Sequence, residues 1–442
     1  MNNTLKTMLV AAAALTAVAS QAQDKATLDL LVKKGVISAE ERAKTLDEAA
    51  KARSSAGLNK IFAKEDATKR ITFSGRIQTQ YESIGGSVTD NATPGVETQA
   101  VDVSQAFMRR LYLGFKVDMG EGISAELVNN FADNTLDKAI FTAENTYGTF
   151  VLGYQKVQWG LEENTSSSKL LTVERSASNR FWNESAKNGR LGFGARHTGL
   201  HYANKYAIDS AQTLEYGAAA VNAAQGQAAS VGNDLGVYAN LIYTYKVTDT
   251  NKHSFGLNWG SGRDTRTTAG VGNGAGVNQA KIEGFNPYIK SQFDKLIVQA
   301  EYITTTNDAV TGSTAGAAVE RKPTGFTVLA AYKFTEQLEG VVRYSQLDTD
   351  GAGAQFGDLY RDASNITGAT AINYNKFDSV YVGVNYYFVD HNAKIMVGYE
   401  KAKASQRLGS AASVTGTSAF GGLAGAGKAD ADIFRLQAQV LF

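Results

Sequence analysis

Apolar and polar side chains alternate along most of this chain with a period of two. Between Ala429 and Phe442, Asp432, Phe434, Leu436, Ala438, Val440 and Phe442 fall on one face. Ile433, Arg435, Gln437, Gln439 and Leu441 fall on the other. The pattern recurs at Ile71, Phe73, Ile77 and Tyr81, which alternate with Arg76, Gln78, Gln80 and Glu82. It recurs again at Leu111, Leu113, Phe115 and Val117, and at Val380, Val382, Val384, Tyr386 and Phe388. A period of two is that of a β-strand, whose successive side chains point to opposite faces. A strand with one apolar and one polar face suits a soluble sandwich, or a barrel with lipid outside and a wet lumen inside.

The links between strands decide between these. Tight links at Asp118–Glu121, Thr146–Gly148, Asn204–Asp209, Val247–Asn251, Gln292–Lys295, Phe334–Gln337 and Val389–Asn392 alternate with long ones rich in Gly, Ala, Ser, Thr and Asp. The long links include Trp159–Gly189, Thr349–Asn373 and Ser405–Lys428; only the link near Asp133 is short where a long one is due. Alternating turns and loops belong to an up-and-down barrel with one rim of each kind. Counting between links predicts about sixteen strands, the sixth over 190–205. A propeller would need a blade-length repeat with its own motif, and none is present. The expected fold is therefore all-β, an antiparallel transmembrane barrel over residues 70–442.

The N-terminus differs. Lys6, the apolar run Met8–Val18 and Ser20-Gln21-Ala22 have the layout of a signal peptide over residues 1–22, with cleavage expected near Ala22. Residues 23–69 predict a helical periplasmic segment and linker, with helices Ala26–Lys34 and Ser38–Ala52 and a capping box from Ser38 to Glu41. The thin apolar stripe there fits a loosely ordered extension or a coiled coil equally well.

Composition agrees with strands and turns: 44 Gly, 20 Tyr and 20 Phe, but 3 Pro. The chain has no Cys, which excludes disulfides and thiolate metal sites. A formal charge of +1, from 44 basic and 43 acidic residues, gives no sign of a nucleic-acid partner. Ser166-Ser167-Ser168-Lys169 matches Ser-x-x-Lys but lacks its helical context, and His197 and His201 are about 13 Å apart along a strand, too far for one metal. No catalytic set, metal site or cofactor is expected.

One long link is unlike the rest. The stretch after Lys156 carries Trp159, Leu161, Leu170, Leu171, Val173, Phe181 and Trp182 among charges of both signs. A loop this apolar has reason to fold into the barrel and narrow the pore. Its run Gly153-Tyr154-Gln155-Lys156 through Gly160-Leu161-Glu162, the Ser-Ser pair, Val173-Glu174-Arg175 and Gly189–Phe193 resemble the phosphate-selective porin O and P family. Arg109-Arg110 before Leu111–Lys116 resembles that family's second strand. The resemblance implies an outer-membrane homotrimer of sixteen-stranded barrels, an inward-folded third loop and diffusion of anions such as phosphate.

Fixed cations in a narrow polar pore favour anions. The expected pore-lining cations are Arg76, Arg110, Lys116, Lys156, Lys169, Arg175, Arg180, Arg190, Arg196, Lys290, Arg343 and Arg435, with Glu162, Glu163 and Glu174 as acidic residues of the constriction loop. These cations are spread over many strands rather than stacked in a dense ladder. Pairing with acids that brace the loop is the alternative, most evenly matched at Arg175 beside Glu174. Arg109, opposite Arg110, is expected at a rim or subunit contact. Phe442 resembles the C-terminal aromatic read by barrel assembly machinery. The expected function is passive diffusion of small hydrophilic solutes with anion preference; the alternatives are a non-selective porin, or a structural or adhesive protein whose N-terminal helices bind a partner.

Overall fold

The computed structural model describes residues 32–34, 38–43, 70–89, 97–184, 190–223, 235–263, 281–308, 320–360, 373–408 and 427–442. The expected signal peptide and most of the two expected N-terminal helices lie outside the described residues. The chain forms two compact units, Met1–Phe73 with Phe115–Gly120, and Ser74–Gly114 with Glu121–Phe442. In the first, Ser38 N donates to Glu41 Oε2 at 2.8 Å and Glu41 N to Ser38 Oγ at 3.0 Å, the reciprocal pair of a capping box.

Sixteen long strands and a two-residue pairing at Ala354–Gln355 make one sheet. The strands are β1 (Ile71–Thr89), β2 (Glu97–Gly120), β3 (Ile123–Asn130), β4 (Thr135–Asn145), β5 (Gly148–Lys156), β6 (Arg196–Ala207), β7 (Gln212–Asn222) and β8 (Leu235–Lys246). They continue as β9 (Asn251–Arg263), β10 (Lys281–Phe293), β11 (Leu296–Asn307), β12 (Thr324–Lys333), β13 (Leu338–Asp348), β14 (Asn373–Val389), β15 (Ala393–Leu408) and β16 (Lys428–Leu441). Each long strand pairs with its sequence neighbour, and β1 pairs antiparallel with β16 from Arg76↔Leu441 to Thr89↔Lys428, which closes the barrel. A closed sheet leaves no edge with unpaired backbone groups.

The short links are set by residues that tolerate a left-handed backbone or bond their own main chain. Asn134, Asp294 and Asp390 have φ of 55°, 53° and 43°. Asp209 Oδ1 accepts from Ala211 N at 2.8 Å and Gln212 N at 2.7 Å. These bonds, Ala211 N first, hold the Asp209 carboxyl below its ordinary range.

The alternation read from sequence sets the faces. In β16, Phe434, Leu436 and Val440 are exposed, while Ile433, Arg435, Gln437 and Gln439 are buried. Val380, Val382, Val384, Tyr386 and Phe388 likewise line the exposed face of β14. An outer surface this apolar is costly against water and favourable against hydrocarbon.

The seam depends on one small residue. Gly75 N donates to Phe442 O at 2.8 Å, and Phe442 N to Gly75 O at 3.2 Å. A Cβ on Gly75 would lie 2.1 Å from Phe442 Cζ, so only glycine leaves room for the ring.

The buried apolar core lies on the sheet's other face. Trp159, Phe181, Trp182, Leu191 and Phe193 from the β5–β6 link cluster with Tyr238 and Ile303 of the wall, and with Phe356, Leu359 and Tyr360 of the β13–β14 link. The β5–β6 link holds two short helices, α1 (Leu161–Asn164) and α2 (Ala177–Asn183); the β13–β14 link holds α3 (Phe356–Leu359). The strand expected over 190–205 begins instead at Arg196. Upstream, Leu191 N donates to Phe181 O at 2.7 Å and Gly194 N to Trp182 O at 3.1 Å, so this backbone bonds α2 rather than a neighbouring strand.

Candidate functional site

Segment 157–195, described at residues 157–184 and 190–195, is held there against the polar faces of strands around the sheet. Gly160 N donates to Asn286 Oδ1 of β10 at 3.2 Å. Leu161 N and Glu162 N, at the start of α1, donate to the Glu301 carboxylate of β11 at 2.5 and 3.3 Å. Trp182 Nε1 donates to Thr305 Oγ1 of β11 at 3.0 Å. Ser178 and Trp182 approach Gly325 of β12, where a Cβ would lie 2.3 Å from Ser178 Oγ. Asn385 Nδ2 of β14 donates to Leu171 O at 2.9 Å, Lys394 Nζ of β15 to Leu170 O at 2.8 Å, and Gln439 Nε2 of β16 to Ser168 O at 3.1 Å. Ser176 caps α2 by accepting from Asn179 N at 3.1 Å, and its own N–H donates to Glu162 at 3.0 Å.

Most of the arginines expected to line a pore are buried in ion pairs. Arg343 of β13 pairs with Glu400 of β15 at 2.9 Å and with Glu162 at 3.2 Å; it also donates to Thr172 Oγ1 at 3.1 Å and to Glu174 O at 2.7 Å. Arg175 pairs with Glu163 at 3.2 Å and donates to the carbonyls of Glu162 at 3.0 Å and Thr165 at 3.0 Å. Arg180 pairs with Glu184 at 3.1 Å, and Arg190 with Glu184 at 2.7 Å and Asp358 at 2.8 Å. Arg435 pairs with Glu82 at 3.4 Å and Glu400 at 3.6 Å. Arg110 is buried and donates to Gln78 Oε1 at 2.7 Å.

The lining role expected for Arg110, Arg175, Arg180, Arg190, Arg343 and Arg435 therefore gives way to bracing. Buried guanidinium groups need carboxylates and carbonyls, and this interior supplies them. Glu162, Glu163 and Glu174 are the acidic half of the same bracing.

Arg109 corrects a second expectation. It donates from Nε to Glu174 at 2.5 Å, on the same side as Arg110 rather than at a rim. Met108 and Leu113, five positions apart, are both exposed, so the alternation of β2 changes phase between them. An extra residue in one strand places two consecutive side chains on one face.

The remaining expected cations are less enclosed. Arg76 donates to Ser167 and Ser166 and lies 5.0 Å over the Tyr112 ring. Lys156 pairs with Glu163 at 2.5 Å, and Arg196 with Asp137. Lys116 is exposed on β2, within the smaller unit. Lys169 and Lys290 are exposed and line one cavity of about 500 Å³ between segment 157–195 and strands β8 to β12.

Carboxylates and hydrocarbon line that cavity too. Glu301 accepts at both oxygens, from the α1 backbone and from Asn286 Nδ2 at 3.1 Å. Glu162 also accepts at both, from Ser176 and Arg343. Leu171, Ile242, Ile297 and Leu329 supply an apolar wall. His391, in the turn between β14 and β15, lines the same space; burial, then Lys394 and Lys169, push its imidazole down to about 4, so it is neutral at pH 7.

Sequence reasoning passed over the β13–β14 link. It was expected as an ordinary long loop, yet Ala352, Ala354, Phe356, Leu359 and Tyr360 are buried in the core around segment 157–195. The Tyr360 carbonyl accepts from Arg435, and Asp358 holds Arg190. The available signal was Phe356, Leu359 and Tyr360 interrupting a Gly- and Ala-rich run.

Comparison with known proteins adds an independent line. The family described as "Phosphate-selective porin O and P" matches residues 56–424. OmpT, an outer membrane protein of Vibrio cholerae, superposes with a TM-score of 0.50 at 13% identity, over 84% of this chain and 97% of that one. The outer membrane channel DcaP of Acinetobacter baumannii superposes with a TM-score of 0.50 at 12% identity, over 84% and 97%. No curated protein matches the sequence.

Proposed function

The chain belongs to the phosphate-selective porin O and P family, and from that membership we propose that this outer-membrane channel for small solutes works by passive diffusion with a modest preference for anions. Segment 157–195 is its constriction, a reading supported by hydrogen bonds to the polar faces of β10, β11, β14, β15 and β16. Homotrimeric assembly belongs to the same proposal.

One observation carries the anion preference. In the cavity beside the segment, both oxygens of Glu162 and of Glu301 accept hydrogen bonds, while Lys169 and Lys290 are exposed. A passing ion meets ammonium groups, and the acids are turned into the packing. Weakly held, hydrated point charges lower the energy of an anion without trapping it. The preference is modest because most guanidinium groups nearby are neutralised by carboxylates. Phosphate enters as one small anion among others.

Planar-bilayer recording in a KCl gradient tests this. The reversal potential should have the sign of chloride permeation, and the Lys169→Glu, Lys290→Glu double variant should abolish or reverse it. A cation-selective unmodified channel would sink the proposal.

A further inference from the structure

We propose that the cavity bounded by Lys169, Lys290 and the aliphatic wall is a subsite for small organic carboxylates that carry an apolar body, aromatic or branched. This deepens the channel reading above and rests on it.

Three features of the cavity define the ligand. The first is its available charge. Lys169 from the segment and Lys290 from β10 offer ammonium groups, whereas the oxygens of Glu162 and Glu301 are occupied by Ser176, Arg343, the α1 backbone and Asn286. The site therefore presents positive charge to an entering solute despite the two acids in its lining.

The second is the wall facing those charges. Leu171, Ile297 and Leu329 line the cavity and pack with Ala331, Val341 and Tyr381 behind them. Ile242 of β8 extends the same apolar surface. A fully hydrated inorganic ion gains nothing from such a wall, and a dianion loses hydration beside it. A phenyl or branched alkyl group gains by covering it.

The third is the kind of cation. Tight phosphate sites use guanidinium forks that hold two oxygens at once. The guanidinium groups that bond residues of the lining are already engaged, Arg343 with Glu400 and Glu162, Arg175 with Glu163, and Arg76 with the Ser166 and Ser167 hydroxyls and the Tyr112 ring. Single ammonium groups hold a carboxylate loosely, which suits passage.

The position of the cavity fits a transit site. Lys290 lies close to the end of β10 at Phe293, Ile297 close to the start of β11 at Leu296, and His391 in the β14–β15 turn. All three belong to the short-turn end of the barrel. A volume of about 500 Å³ accommodates a molecule of this class with water to spare.

The test uses the full chain in planar bilayers in dilute KCl, adding sodium benzoate, sodium acetate or inorganic phosphate. Benzoate should reduce the chloride current with a half-blocking concentration about tenfold below that of acetate, with phosphate no better than acetate. Ile242→Ser and Ile297→Ser should each shrink the benzoate-to-acetate ratio, whereas Lys169→Gln with Lys290→Gln should weaken both blocks together. Heat-modifiable gel migration confirms that each variant is a folded barrel. Stronger block by phosphate than by benzoate overturns the proposal. So does a benzoate-to-acetate ratio unmoved in both isoleucine variants. A channel that carries KCl but is blocked equally by all three anions loses the subsite while the channel reading stands. A protein that conducts nothing removes both.

Discussion

Two sets of cations meet in the interior of this barrel, and burial separates what they do. Arg343, Arg175 and Arg435 are enclosed, each with one or more carboxylates within 3.6 Å. Lys169 and Lys290 stand exposed at the cavity. The arginines act between parts of the protein: Arg343 ties segment 157–195 to β13 and β15, Arg175 braces the segment internally, and Arg435 ties β16 to β1, β15 and the β13–β14 link. The lysines are free to act on a solute. On the proposed reading, anion selectivity follows the positive charge left without a carboxylate rather than the total positive charge of the interior.

The largest break in this contrast comes from removing a brace. Arg343→Ala leaves Glu162 enclosed without its guanidinium partner and Glu400 with Arg435 alone, at 3.6 Å. Breaking a buried pair on one side costs about 3–5 kcal/mol, because the remaining charge is uncompensated. Segment 157–195 should detach from β13, raising single-channel conductance and current noise and lowering the temperature of the heat-modifiable gel transition. Conductance and stability equal to the unmodified channel would show that Arg343 does not hold the segment. Arg343→Lys should fall between, since one ammonium cannot serve Glu400, Glu162 and the Glu174 carbonyl together.

A smaller break converts braces into lining. Glu163 is the carboxylate shared by Lys156 and Arg175, at 2.5 and 3.2 Å. Glu163→Gln keeps the shape and the amide oxygen but removes the charge. Lys156, on β5 and partly exposed, then gains net influence on the pore. The anion-to-cation permeability ratio should rise, with a stability loss of about 1–3 kcal/mol from the weakened pair. An unchanged ratio would mean that neither Glu163 nor Lys156 acts on the ion path.

Much of this architecture was legible in the residues. Period-two alternation fixes which side chains share a face, and link lengths set the strand count, so the expectation of about sixteen strands matches the sixteen long strands observed. Trp159, Phe181 and Trp182 announced a segment that needed packing. The charge roles were not legible, because pairing joins residues far apart in sequence. Nothing near Arg343 indicates that Glu162, 181 positions away, would neutralise it. Arg109 was misplaced because one phase change in β2 reverses the parity on which facing was read. Phe356, Leu359 and Tyr360 were missed because a short apolar cluster in a loop has no periodicity to register.

The finest distinction is between an exposed and an enclosed cation at equal formal charge. Arg110→Gln and Lys169→Gln each remove one positive charge. Arg110 is buried and bonded to Gln78, so its field reaches the solute path through protein; Lys169 meets the path directly. Screening separates them, since the Debye length is about 10 Å at 0.1 M salt and about 3 Å at 1 M. At 0.1 M, Lys169→Gln should reduce the anion-to-cation permeability ratio more than Arg110→Gln does. At 1 M the two variants and the unmodified channel should converge, because a mobile counterion shell then cancels the field of an exposed ammonium. Segment 157–195 should stay in place throughout, because its buried pairs are little screened, so relative conductances should not change with salt. If Arg110→Gln lowered selectivity as much as Lys169→Gln, and that loss persisted at 1 M, the enclosed arginines would be shaping the ion path and the division between the two sets would fail.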